Sequence, residues 1–194
     1  MSNEARFARV VALACHDLRT PLATVHGFAR TLARVELGEP ADRYIGMIEA
    51  ASDQISELLD ELTLVTRIEA GRFEPRLQTV DSLGLAREAA SELHDDAVEV
   101  EGEGAPVSVE VDSTRRALRQ LARATRRHGG LESVTVTVRG SELSIAPLAG
   151  TAPAVVTGED LRELGAAAAV DLVRAIGGSV EADGDRLVIA LPAG

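Results

Sequence analysis

Cys15-His16-Asp17-Leu18-Arg19-Thr20-Pro21-Leu22 lies inside a segment whose apolar residues recur at Phe7, Val10, Val11, Ala14, Leu18, Leu22, Val25, Phe28, Ala29, Leu32 and Val35. Steps of three and four describe one stripe of a helix. At about 100° per residue, His16 stands about 200° from both Ala14 and Leu18, so the imidazole is expected to face solvent while those two pack. Thr20 lies one turn on and shares that outward face, and Asp17 is adjacent. Pro21 withholds a backbone donor and is expected to bend the helix beside the site. An exposed imidazole beside a carboxylate is a nucleophile with a proton acceptor. Asp17 takes the proton of one ring nitrogen and orients the other for attack, and Thr20 is placed to position a water or an incoming group.

Working outward, the first helix is expected to end near Glu36-Leu37-Gly38-Glu39-Pro40, with Gly38 as its cap and Pro40 opening the next helix. That second helix carries Ile45, Ile48, Ser52, Ile55, Leu58, Leu59, Leu62, Val65 and Ile68 and stops at Gly71. Each helix has one apolar stripe, and two helices cannot bury both stripes well. Two such hairpins about a two-fold axis can, which predicts a dimeric four-helix bundle and hence a homodimer.

After Pro75 the pattern changes. A helix is expected over 80–93, strands over 97–100 and 107–111 around a Gly-rich turn, and a helix over 114–127. Strands 134–138 and 142–145 pair across Arg139-Gly140-Ser141, followed by a Pro/Ala/Gly loop over 146–158. A helix over 166–176 ends at Gly177-Gly178, and a hairpin of 179–182 with 186–191 turns at Asp183-Gly184-Asp185. The organisation is thus a helical domain over 1–75 and an α+β layer over 76–194, a mixed sheet with helices on one face.

With 45% hydrophobic residues in 194, the chain can bury a real core. Aromatic residues make up only 2% and the net charge is −11, so stacking on bases and broad polyanion binding are disfavoured and no nucleic-acid partner is expected. All twenty basic residues are Arg, which reads as compositional drift. No membrane-length apolar run and no secretory leader pattern is present, so the expected location is the cytoplasm, without membrane attachment. Cys15 is the single cysteine, and His26, His94 and His128 are scattered, so no disulfide and no metal site is expected. His94-Asp95-Asp96 echoes the His-Asp pair but lacks the Arg-Thr-Pro that follows His16-Asp17.

The segment Cys15 to Leu22, followed by Gly27-Phe28, resembles the phosphoacceptor box of bacterial sensor histidine kinases, and Arg67-Ile68-Glu69-Ala70-Gly71 resembles the end of that family's second helix. The resemblance implies that His16 is the phosphoacceptor, that Asp17 serves as base, and that Thr20 assists dephosphorylation of a partner. Arg19 belongs to the same box; phosphate contact and a plain surface ion pair are both open for it. The family's partners are response-regulator receiver domains.

The second half resembles the family's ATP-binding domain, which implies a Bergerat-like α/β sandwich, but it departs at the ligand positions. Gln120 and Ala124 stand where two asparagines are expected, so the magnesium-holding amide is missing. Pro147-Leu148-Ala149-Gly150 stands where an adenine-reading Asp-x-Gly-x-Gly is expected. Gly165 matches one glycine of a later box, and Gly177-Gly178-Ser179-Val180 through Pro192 resembles the closing strands. ATP is therefore not expected as a cofactor, and Mg²⁺ is expected at the partner receiver. Three readings follow: a dimeric histidine phosphotransferase, a soluble kinase with a divergent ATP site, or a non-catalytic dimerization module. The Arg-rich run from Arg115 to Arg127 allows docking of an acidic receiver through Arg115, Arg119 and Arg123, or an ordinary solvated helix face.

Overall fold

The computed structural model describes residues 3–32, 40–93 and 97–194, so Gly38 and the His94-Asp95-Asp96 triplet lie outside the described residues. By packing, the chain divides into two compact units, Met1–Thr63 and Leu64–Gly194.

The first unit holds α1 (Asn3–Leu32) and most of α2 (Pro40–Glu69), which opens on Pro40 as its sequence suggests. Val10, Ala14, Ala41 and Ala51 are buried, and the rings of Phe28 and Tyr44 stack with centroids 5.4 Å apart, tying the end of α1 to the start of α2. Leu22, expected on the packed stripe, is 60% exposed, and Phe7, Ile45 and Leu59 are exposed as well. The reason is geometric. A helix pair shares one seam, and an apolar stripe about 100° wide or more overhangs it.

The division between units falls inside α2 because Leu64 and Phe73 pack on the core of the second unit. The boundary expected after Pro75 follows the end of the helical pattern; the packing boundary follows the side chains.

The second unit is built on a five-stranded sheet of order β2-β4-β5-β7-β6 and a two-stranded sheet β1-β3, where β1 is Gln78–Asp81, β2 Val98–Gly104, β3 Pro106–Val109, β4 Val134–Gly140, β5 Glu142–Ala146, β6 Ser179–Asp183 and β7 Arg186–Ala190. Four helices accompany them: α3 (Ser82–Ser91), α4 (Val111–Gly129), α5 (Ala152–Val156) and α6 (Leu164–Ala175). Strands β2 and β4 run parallel, and the other pairs are antiparallel. Alternation places Val134, Val136, Val138, Leu143, Ile145, Leu187 and Ile189 in the core, with Leu85, Leu121 and Leu172 from the helices.

Three expectations change. Val80, expected in a helix, lies in β1 opposite Val107, because Asp81 caps α3 by accepting a 2.8 Å hydrogen bond from the Gly84 N–H and so fixes where the helix starts. The expected Gly-rich turn between two short strands is instead the second half of β2, which pairs with β4, while β3 joins β1 in a different sheet. Gly102, at φ +108°, is what lets the strand continue, since a Cβ there would strike the backbone of Val138. Finally, the expected loop over 146–158 contains the short helix α5, whose Ala152, Val155 and Val156 are buried.

Candidate functional site

Helix α1 runs continuously through His16 and Pro21. The His16 side chain is 76% exposed and Asp17 is largely covered, with His16 Nδ1 3.1 Å from Asp17 Oδ1. That contact has a chemical consequence. A carboxylate on Nδ1 favours the tautomer with its proton there and leaves the Nε2 lone pair directed outward. Pro21 is buried and has no N–H to donate to the carbonyl one turn back, and the Thr24 hydroxyl donates to the Thr20 carbonyl at 3.1 Å. Arg19 and Thr20 are both exposed beside the imidazole's end of the helix. Cys15 is a free, exposed thiol, and among the described residues no group of three or more His, Cys, Asp and Glu is placed to hold a metal.

In the second unit, Gln120 and Ala124 lie on α4, both buried, Ala124 at 0% exposure. Pro147 is exposed, Leu148 is buried with its N–H donating to the Asp185 carbonyl, and Ala149 is half-buried. Gly165 sits in the first turn of α6, which is buried throughout from Leu164 to Val173. Glu163 is the N-cap of that helix yet makes no side-chain cap bond. Its Oε2 instead lies 2.8 Å from His128 Nε2, with the two side chains only 14% and 17% exposed. Sequence reasoning missed this pair. The two residues stand 35 positions apart, and neither carries a local pattern that would link them.

The arginine-rich face of α4 is partly spoken for. Arg115 reaches Glu92 at 2.6 Å, Asp112 at 2.9 Å and Glu88 at 3.5 Å, and Arg119 reaches Glu92 at 2.7 Å. The pairs with Glu88 and Glu92 staple α3 and its C-cap to α4, so two of the three docking candidates have intramolecular partners, while Arg123 is exposed. Glu92, about two-thirds covered, serves both arginines. Glu92→Ala is expected to lower the stability of the fold by about 1–2 kcal/mol in urea titration, whereas Glu88→Ala, far more exposed, should cost about 0.5 kcal/mol or less. Equal effects of the two would contradict the staple.

Against known proteins, residues 8–71 match the His Kinase A (phospho-acceptor) domain family. The chain is 30% identical over 173 residues to the histidine protein kinase DivJ of Caulobacter vibrioides, a match covering 81% of this chain and 28% of DivJ. It is 31% identical over 94 residues to the probable sensor histidine kinase TcrY of Mycobacterium tuberculosis, covering 48% of this chain and 20% of TcrY. The chain thus spans less than a third of the length of these curated relatives. Among solved structures, the Acinetobacter baumannii histidine kinase AdeS superimposes with a TM-score of 0.65 at 16% identity, covering 92% of this chain and 98% of that one, which is a likeness of fold. No helix among the described residues is long and apolar enough to cross a membrane. Residues 8–71 thus match the His Kinase A (phospho-acceptor) domain, and the chain is similar to a sensor histidine kinase core in its fold, a helical hairpin followed by a mixed-sheet α/β domain.

Proposed function

We propose that this protein is a histidine phosphotransferase of two-component signalling: His16 takes a phosphoryl group from the aspartyl phosphate of one response-regulator receiver and delivers it to another, without ATP. The observation that carries this reading is the closure of the second unit where the family resemblance assigns nucleotide. Ala124 is sealed in the core and offers Mg²⁺ no oxygen. The first turn of α6 is buried, and the Glu163 carboxylate stands at the helix end that would otherwise favour an anion. These residues do not fit ATP with Mg²⁺.

The transfer then balances at the exposed imidazole. Nε2 of His16 attacks the phosphorus of the acyl phosphate, the bond from phosphorus to the receiver's carboxylate oxygen breaks, and that carboxylate leaves. Asp17 bears on the Nδ1 proton as positive charge develops on the ring. The receiver brings Mg²⁺, and Thr20 and Arg19 flank the incoming group. Exposed Phe7, Leu22, Ile45, Met47 and Leu59 support a homodimer in which a second hairpin covers them. Exchange with receivers places the protein in the cytoplasm.

Two measurements test the reading. With labelled ATP and Mg²⁺ we expect no label on the protein and no change in Tm at millimolar nucleotide, since a site with Kd ten times below the ATP concentration would add about 1.4 kcal/mol. With a phosphorylated receiver we expect label on His16. Label from ATP would make the protein a kinase with a divergent site, as the names of its relatives suggest. Label from neither ATP nor any receiver of its own organism would make it a non-catalytic dimerization module.

A further inference from the structure

His128 touches the segment 151–163 at both of its ends. At the entry, the His128 carbonyl accepts hydrogen bonds from the Thr151 N–H and the Thr151 hydroxyl, each at 3.3 Å. At the exit, the His128 imidazole meets the Glu163 carboxylate at 2.8 Å. One residue at the end of α4 therefore closes the two ends of a connection that holds α5 and leads into α6. Gly150 makes the entry possible. At φ +61° it lies so near the His128 carbonyl that a Cβ would come within 2.9 Å of that oxygen.

Between its ends the segment behaves as a wedge. Ala152, Val155 and Val156 are almost wholly buried, and α5 packs against both α4 and α6. The Arg174 guanidinium of α6 donates to the Thr157 carbonyl at 3.2 Å, and the Asp160 N–H donates back to the Ala154 carbonyl at 2.8 Å. No strand hydrogen bonds hold it. Apolar burial, the Arg174 contact and the two ends at His128 tie it to the rest of the unit, together with the backbone bonds from the Ala152 N–H to the Ala149 carbonyl and from the Ala167 N–H to the Glu163 carbonyl. The Glu163 carboxylate is drawn away from capping its own helix to make the exit contact.

We infer that residues 151–163 form a strap that opens as one local unit, and that the His128–Glu163 contact is the clasp that keeps it shut against α4 and α6. Opening it frees the start of α6 and uncovers Val155 and Val156 while the five-stranded sheet stays intact. This rests on the proposed function only in that Glu163 and the first turn of α6 are among the residues that reading takes to be closed to nucleotide.

Hydrogen exchange on the full chain, without nucleotide or receiver, tests it. His128→Ala keeps the backbone bond to Thr151 and removes the clasp. Amides from 152 to 166 should then exchange about tenfold faster or more, as expected for loss of a half-buried charge-assisted bond, with β4, β5 and β7 unchanged. Glu163→Gln keeps a neutral, weaker partner and should give a smaller rise over the same amides, and the double variant should exceed His128→Ala only slightly. Unchanged exchange in the segment overturns the strap, as does an equal rise across strap and sheet, which would make His128 an ordinary contributor to global stability. If His128→Ala does not fold, Glu163→Gln is decided by the same two outcomes. ATP binding by the native protein would overturn the proposed function and leave this exchange pattern untouched.

Discussion

His16→Ala is expected to lose all phosphoryl acceptance from a phosphorylated receiver while its Tm stays near that of the native protein. The side chain is 76% exposed and its recorded side-chain contact is with Asp17, so truncation removes little packing and should cost about 0.5 kcal/mol or less. Among the described residues of that face of α1, His16 is the one whose ring nitrogen meets a carboxylate, with the other nitrogen left outward. Asp17→Asn separates orientation from proton acceptance: the amide oxygen can still accept from Nδ1, but it cannot take up charge as the ring becomes cationic. Transfer is expected to slow by about 100-fold or more, in the range of general acid–base contributions. Acid-labile phosphate on His16→Ala, or native rates in Asp17→Asn, would remove the acceptor role from this pair.

The second large effect is structural. Gly102→Ala is expected to destabilise the second unit by about 3 kcal/mol or more, read from the urea midpoint. Two costs combine there. The backbone sits at φ +108°, which an L side chain adopts at a cost of about 1–3 kcal/mol. A Cβ would also strike the carbonyl and amide of Val138 on β4, in the parallel pairing that holds the edge strand to the sheet. Gly184→Ala is the control. It also has positive φ, at +60°, but nothing lies within 4 Å of its Cβ, so only the conformational cost of about 1–2 kcal/mol should appear. Similar losses in the two variants would mean that the close approach to Val138 relaxes freely.

The hairpin was the legible half. Periodicity placed both helices, put Ala14 in the core and His16 in solvent, and showed that one hairpin leaves apolar surface uncovered, as Leu22, Ile45 and Leu59 now do. Such facts are local: a helix's faces follow from residue spacing alone. In the second unit the order of strong elements was also readable, from α4 through β4 and β5 to the closing hairpin. Errors clustered where a segment's fate depends on a distant partner. Val80 fits a helical pattern but pairs with Val107, and Glu101 to Gly104 read as a turn but line up with β4. The arginine face of α4 read first as a solvated face paired with nearby carboxylates and second as a docking surface, and only the arrival of Glu88 on α3 and Glu92 at its C-cap showed which partners Arg115 and Arg119 have.

By itself the sequence determined the candidate acceptor: a histidine, its carboxylate neighbour and a solvent-facing helix position all lie within seven residues, and helical geometry relates them without help from the rest of the chain. The loss of the amide at Ala124 was equally plain, since it is a matter of residue identity. Tertiary structure alone decided how the second unit is closed. The strap, its burial against α4 and α6, and the meeting of His128 with Glu163 join residues 35 positions apart. Contacts of that separation leave no periodic trace in a sequence; they exist only once the sheet and its helices have brought the two ends together.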